Sequence, residues 1–343
     1  MGVAVTLRDV AERAGVSPRT VSNVVNDFPH VSPAMRVRVQ AALDELGYRP
    51  NLLARSLRKG TTGIIALLVP QIAVPYFGEL AHEIVERASE LGITVLIDET
   101  GGDSVRELEL LGVAARSSWV DGVILSSLGL GGSALASLGA TVPVVLLGER
   151  TAGTALDHVG IDNVRASMEA VQHLLDSGRT RIAAIGGSGT EWDATSRLRL
   201  DGYRAALVAA GLPVDDALHA RTPHYTRADA AVAVRKLLAL AEPPDALFCF
   251  SDELAAGSLR ELHVGGIRVP HDVSVVGFDD IEEAGYTTPA LTTVSPDRPG
   301  IARAALDLLL ERIGGSEVRA RDVRVPARLV VRESSMPVQT TAG

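Results

Sequence analysis

The amino-acid sequence predicts an all-α head followed by an α/β body of two Rossmann-like lobes. Three observations predict it. Residues 1–60 hold three short helical patterns, each with its own start signal. From Thr61 onward, apolar runs of strand length alternate with amphipathic stretches, the mark of parallel strands covered by helices on both faces. The 343 residues suit two or three domains, and the strand–helix units are too many for one comfortable sheet.

In the head, Thr6 precedes Leu7 with Asp9 three positions on, a capping-box spacing that starts a helix running to about Ala14. Gly15 permits a tight turn. Ser17 and Pro18 then supply a capping hydroxyl and a preset φ for a second helix. Its Val21, Val24 and Val25 share one face, while Pro18, Arg19, Ser22, Asn23 and Asn26 fall largely on the other. Ser32 and Pro33 repeat the signal for a third helix with a stripe of Met35, Val39, Ala42, Leu43 and Leu46, ended by Gly47. Two helices joined by a short glycine-bearing turn and braced by a third make a helix-turn-helix of the DNA-binding kind.

In the body, Ile64–Val69, Ile93–Ile97, Gly122–Leu125 and Val144–Leu147 form one series of strands. Ile182–Ile185, Ala246–Phe250 and Val273–Gly277 form a second. In open α/β sheets ligands bind beyond the carboxyl ends of the strands. That rule selects Tyr76 and Phe77, Ser126 and Ser127, Glu149, the loop through Trp192, Ser251 and Asp252, and Asp279 with Asp280. Aromatic faces, hydroxyls and carboxylates together suit a sugar or polyol.

Charge divides unevenly along the chain. The first sixty residues carry nine Lys/Arg against five Asp/Glu, a net +4, which leaves −13 for the rest of a chain totalling −9. A basic head on an acidic body attracts phosphate at one end, although mixed-sign surfaces also occur in proteins that touch no nucleic acid. No apolar run reaches the length of a spanning helix, and the N-terminus lacks a basic segment leading into an apolar one, so a cytoplasmic protein is expected. Cys249 is the one cysteine, which excludes an intrachain disulfide and a cysteine-cluster metal site; it reads as a buried thiol.

The stretch Val5 to Pro50, VTLRDVAERAGVSPRTVSNVVNDFPHVSPAMRVRVQAALDELGYRP, resembles the head of the lactose and galactose repressor family throughout. The resemblance implies that the second helix enters the major groove, with Pro18, Arg19 and Asn23 facing base edges. Arg19 can fork onto guanine O6 and N7, Asn23 can pair with an adenine edge or accept from a cytosine amine, and Pro18 can make only apolar contact, for instance with a thymine methyl. It places Thr6, Ser17, Ser22, Asn26 and His30 at phosphates, which fix register without reading sequence. Ser17 also reads as a cap alone, and His30 as a loop residue. NLLARSL, Asn51 to Leu57, is similar to the family's hinge helix, with Asn51, Ala54 and Leu57 as minor-groove residues and Leu57 at the wedge position. Seven residues cannot hold a helix alone in water, so this one is expected to fold on DNA. Paired hinges imply a homodimer on a near-palindromic operator.

Residues 62 to about 333 resemble the family's sensor, itself similar to type I periplasmic sugar-binding proteins; SRLR at Ser196 followed by DGY at Asp201, and VVGFDD at Val275, carry the match. By this resemblance Arg199 and Asp279 are effector-binding residues and Tyr225 is an aromatic wall. Gly148, where many relatives carry aspartate, and Ser251, in place of a common asparagine, depart from the pattern. The implied organisation is a head over 1–50, hinge and linker over 51–61, a first lobe over 62–160 with 292–322, a second over 161–291 with 323–337, and a tail over 338–343. That tail lacks leucines at heptad spacing, so a dimer is expected.

The function read from all this is sequence-specific transcriptional regulation, with repression the expected direction, modulated by a small-molecule effector such as a sugar or sugar phosphate between the lobes. Two rival functions find less support in the sequence. Gly129, Gly131 and Ala134 form a G-x-G-x-x-A string with Glu149 twenty positions on, but it follows the third strand rather than the first. Without a G-x-S-x-G elbow or an H-E-x-x-H helix, no enzyme, cofactor or metal is expected. A transport-associated binding protein would show an export signal where the head stands.

Overall fold

Helix α1 (Leu7–Ala14) begins where its start signal lies. In the computed structural model Asp9 N donates to Thr6 Oγ1 at 3.4 Å and Thr6 N donates to the Asp9 carboxylate at 2.7 Å, closing the capping box. The structure describes residues 5–25, 28–48, 61–117, 119–127, 130, 141–149, 155–187 and 194–335. The chain divides into two units, Met1–Thr62 and Gly63–Gly343.

In the first unit Gly15 ends α1 at φ 62°, a left-handed conformation that glycine adopts without a Cβ penalty. Ser17 Oγ then accepts from Thr20 N at 3.1 Å to start α2 (Pro18–Val25), and Ser32 Oγ accepts from Met35 N to start α3 (Pro33–Leu46). Val10, Val21 and Val39 have no exposed surface, and Ala11, Ala14, Val24, Ala42 and Leu43 close the core around them. Each buried valine contributes about 1.5–3 kcal/mol.

The second unit contains two sheets wound alike. The first comprises β1 (Ile64–Val69), β2 (Thr94–Glu99), β3 (Gly122–Ser126), β4 (Val144–Leu147), β5 (Asp157–Gly160) and β11 (Asp322–Arg324), in the order β11-β5-β4-β3-β1-β2, all parallel. The second comprises β6 (Ile182–Ile185), β7 (His219–Ala220), β8 (Ala246–Cys249), β9 (Ser274–Phe278), β10 (Thr292–Pro296) and β12 (Ala327–Val330), in the order β12-β10-β9-β8-β6-β7, with only β12 antiparallel to its neighbour. In each sheet the order reverses beside the first strand, at β1/β3 and at β6/β8, which opens a crevice at the strands' carboxyl ends. Helices α4 (Pro75–Glu90), α5 (Ser104–Arg116) and α10 (Arg298–Ile313) cover the first sheet; α6 (Asn163–Asp176), α7 (Ala194–Ala209), α8 (Arg227–Leu238) and α9 (Asp252–Val264) cover the second.

The chain crosses between lobes after β5, β10 and β11. Two crossings differ from the sequence expectation of 292–322 in the first lobe and 323–337 in the second. Thr292 pairs with Val276 of β9, so β10 belongs to the second lobe; Val323 pairs with Val159 of β5, so β11 still belongs to the first. The polar β5 was not expected as a strand at all. Its Asp157 is buried because Arg312 Nε and Arg321 N donate to it at 2.7 and 2.8 Å, and the ring of His158 lies between Asp322 Oδ1 at 2.8 Å and Gly148 O at 2.6 Å. Cys249 is fully buried, and burial pushes its thiol up to about 12. Among the described residues no helix is long and apolar enough to cross a membrane.

Candidate functional site

The outer face of α2 is polar because its apolar residues are committed to the head's core. Pro18 and Arg19 are exposed at its N-terminus, and Ser22 and Asn23 are half-buried one turn further on. Thr6, Ser17 and His30 are exposed around that helix. Ser17 and Thr6 both serve as caps, so their hydroxyls are held in place by the helices they start. His30 packs edge-on against Phe28, ring centroids 5.6 Å apart. The arrangement offers a guanidinium fork, an amide and several hydroxyls on and around one short helix, and an α-helix is an element that a DNA major groove admits.

In the second unit, the strand ends converge on a cavity of about 540 Å³ between the lobes. The first lobe supplies Tyr76 and Phe77 from the start of α4, Ser126 at the end of β3 with Ser127 just after it, and Gly148 and Glu149 after β4. The second supplies Arg199 of α7, Tyr225, Ser251 before α9, and Asp279 after β9. Tyr76 and Phe77 stand edge to face with centroids 5.3 Å apart, forming an apolar wall. Burial, followed by the nearby Asp279 charge, pushes the Tyr76 phenol up to about 12, so it stays a hydrogen-bond donor at neutral pH. Tyr225 OH is hydrogen-bonded to Ser196 Oγ. Ser251 Oγ accepts from Leu254 N at 3.2 Å, so this residue caps α9 as well as lining the cavity.

A polar chain runs from lobe to lobe. Glu149 accepts from Asn163 Nδ2, Asn163 Oδ1 accepts from Arg199 Nε at 2.8 Å, and Arg199 Nη2 lies 3.6 Å from Asp279 Oδ1. Arg199 also donates to Phe250 O and lies over the Phe278 ring, 3.5 Å from its centroid. A buried guanidinium is tolerated when its donors are used, and here they are. Asp279 is less well served. Burial pushes its carboxyl up to about 7 despite the opposing charges of Arg199 and Arg298. Burial also raises Glu149 above the usual carboxylate range, against the pull of Arg324 and Arg199. Asp279 has φ 117° and Asp280 φ 52°, so the turn carrying the carboxylate is strained for residues with a Cβ.

Asp252 departs from its expected role. Its Oδ1 accepts from Thr293 Oγ1 at 2.6 Å and its Oδ2 from Ile281 N at 3.0 Å, and it does not line the cavity. It braces the back of the wall that presents Asp279. Asn163 was missed by sequence reasoning because β5 was missed, and with it the loop beyond that strand's end. Asn26, Asn51, Ala54, Leu57, Trp192, the string residues Gly129, Gly131 and Ala134, and the tail beyond 335 lie outside the described residues.

Comparison with known proteins gives the same division. Residues 6–51 match the model for bacterial regulatory proteins of the lacI family, and residues 171–335 match the periplasmic binding protein-like domain. The chain is 34% identical to the HTH-type transcriptional regulator DegA of Bacillus subtilis (strain 168), covering 98% of this chain and 99% of that one. Among solved structures, a complex of the transcriptional regulator CelR with cellobiose is 34% identical over 96% of this chain and 99% of its own, with a TM-score of 0.72. The lac repressor dimer bound to operator and the anti-inducer ONPF is 28% identical over 97% of this chain and 100% of its own, with a TM-score of 0.84. A match of this identity over nearly the whole length of both chains, with both domains in the same order, means that this chain belongs to the lacI family of DNA-binding transcriptional regulators.

Proposed function

We propose that this regulator is a homodimeric repressor whose hold on a near-palindromic operator is set by a small polyhydroxylated effector, a sugar or sugar phosphate, in the interlobe cavity. The observation that carries the reading is the cavity itself. Its two walls belong to different lobes, and the chain Glu149–Asn163–Arg199–Asp279 joins them through groups that bind hydroxyls. A ligand touching both walls favours one lobe angle, and a coupling of about 1–3 kcal/mol to the DNA-binding heads gives a 5- to 150-fold effect on operator affinity. Bound cellobiose in CelR and the operator-bound dimer of the lac repressor support the two halves of the proposal in relatives.

On the DNA side, Arg19, Pro18 and Asn23 read bases, with Thr6, Ser17, Ser22, Asn26 and His30 at phosphates and Asn51, Ala54 and Leu57 in the minor groove. Dimerisation is supported by apolar side chains exposed around the edge strand β2: Leu96 and Ile97 on the strand, and Val105 and Val113 on α5. The test is selection of bound duplexes from a random pool, then a panel of sugars and sugar phosphates for release. A near-palindromic consensus and release by a panel member are expected. Absence of preference for any duplex over random competitor at moderate salt refutes the proposal.

A further inference from the structure

The strained turn that presents Asp279 is gripped from the opposite lobe. Arg298 stands two residues past the β10 crossing, at the start of α10, which packs on α4 of the first lobe. Its Nη1 donates to Asp279 O at 2.6 Å and to Asp280 O at 3.0 Å, the two carbonyls of the positive-φ pair. Its Nη2 is paired at 3.0 Å with Oε2 of Glu79 on α4. The other oxygen of Glu79 accepts from Glu282 N, just beyond the same turn, at 2.8 Å. Two side chains of the first lobe thus hold three backbone groups of the second. Neither side chain lines the cavity.

We propose that Glu79 and Arg298 form an interlobe latch that keeps the Asp279–Asp280 turn in its cavity-facing conformation and fixes the lobe angle seen here. Four contacts close a ring, Glu79 to Glu282 N, Glu79 to Arg298, and Arg298 to both turn carbonyls, so opening the lobes breaks together the three that reach the second lobe. A left-handed Asp pair persists only where surrounding contacts over-determine it, and this ring supplies them. Arg298 serves because a planar fork reaches a carboxylate and two carbonyls at once, which a single ammonium does not. Glu79 and Arg298 are therefore positioning residues. The role rests on reading the cavity as the effector site, and it concerns motion that can be measured without any effector.

The test uses the full-length protein labelled with spin probes at Val208→Cys on α7 and Asp307→Cys on α10, both exposed, with native Cys249 too buried to react. Dilution with unlabelled protein restricts the signal to pairs within one chain. One narrow distance is expected in the parent, and a broadened or longer distribution in Arg298→Met and Glu79→Ala. Hydrogen exchange of the peptide spanning Asp279–Thr287 should speed up about ten- to a hundredfold in both, the loss expected for hydrogen bonds to charged groups. Arg298→Lys should fall between parent and Met. If Arg298→Met does not fold, the near-isosteric Glu79→Gln carries the test in the same direction with a smaller effect. An unchanged interlobe distance in the folded variants overturns the latch, even if exchange rises locally, because Glu79 would then be only a cap for Glu282. Failure to find an effector leaves these measurements intact and bears only on the function proposed above.

Discussion

Replacing Asp279 by Asn should stabilise the protein relative to its parent as the pH rises. The buried carboxyl is pushed from 3.8 up to about 7, so between those values the folded chain holds a proton that the unfolded chain has lost. Stability then falls with rising pH across that window, and levels off above the folded value. Between pH 5 and pH 8 the remaining two pH units, at about 1.36 kcal/mol each, set a ceiling of ~2.7 kcal/mol. Burial outweighs the Arg199 pairing because that contact is 3.6 Å long and the closer donors of Arg199 go to Asn163 and Phe250 O. Asn mimics the protonated acid and does not titrate, so this slope should vanish. Urea unfolding of parent and variant at pH 5 and pH 8, followed by circular dichroism, measures it. The stability gap should move in favour of the variant by about 1–2.5 kcal/mol between the two pH values, within that ceiling. Parallel pH profiles, or a gap moving toward the parent, would show that the ion pair dominates and refute the reasoning.

Other consequences are more local. Arg19→Ala should relax operator preference at one position per half-site, at about 1–3 kcal/mol in competition binding, while uniform weakening on every duplex would place Arg19 at phosphate instead. Asp252→Ala leaves Thr293 Oγ1 and Ile281 N without their acceptor in a buried site, which should cost roughly 2–4 kcal/mol by denaturant unfolding. Gly202→Ala would drive a methyl into Val164 O and to 2.7 Å from Ser167 Cβ where α7 meets α6, and about 1–3 kcal/mol should be lost in the same assay.

Much of this was legible because its causes are local. The caps at Thr6 and Ser32 and the glycines at 15 and 47 each act within four residues; α1 and α3 begin and end where those signals lie, and α2 begins at Pro18, directly after Ser17. Ile64–Val69, Val144–Leu147 and Ile182–Ile185 announced themselves as strands because burial on both faces demands continuous apolar sequence. β5 did not, since Asp157 and His158 are buried only by virtue of Arg312, Arg321 and Asp322, more than 150 residues away. The cavity residues Tyr76, Ser126, Glu149 and Ser251 followed from the strand-end rule, whereas Asn163 was lost with the strand before it.

By itself the sequence determined the architecture, a capped helical head and two parallel-sheet lobes, and it identified the polar face of α2, because capping, periodicity and charge act between near neighbours. Only the tertiary structure decided which of two adjacent-looking carboxylates faces the cavity. Asp252 is consumed by Thr293 and Ile281, and Asp279 is held out by Arg298 from the other lobe. The reason is physical: a buried charge takes its role from the donors around it, and those donors arrive from segments that the chain brings together only on folding.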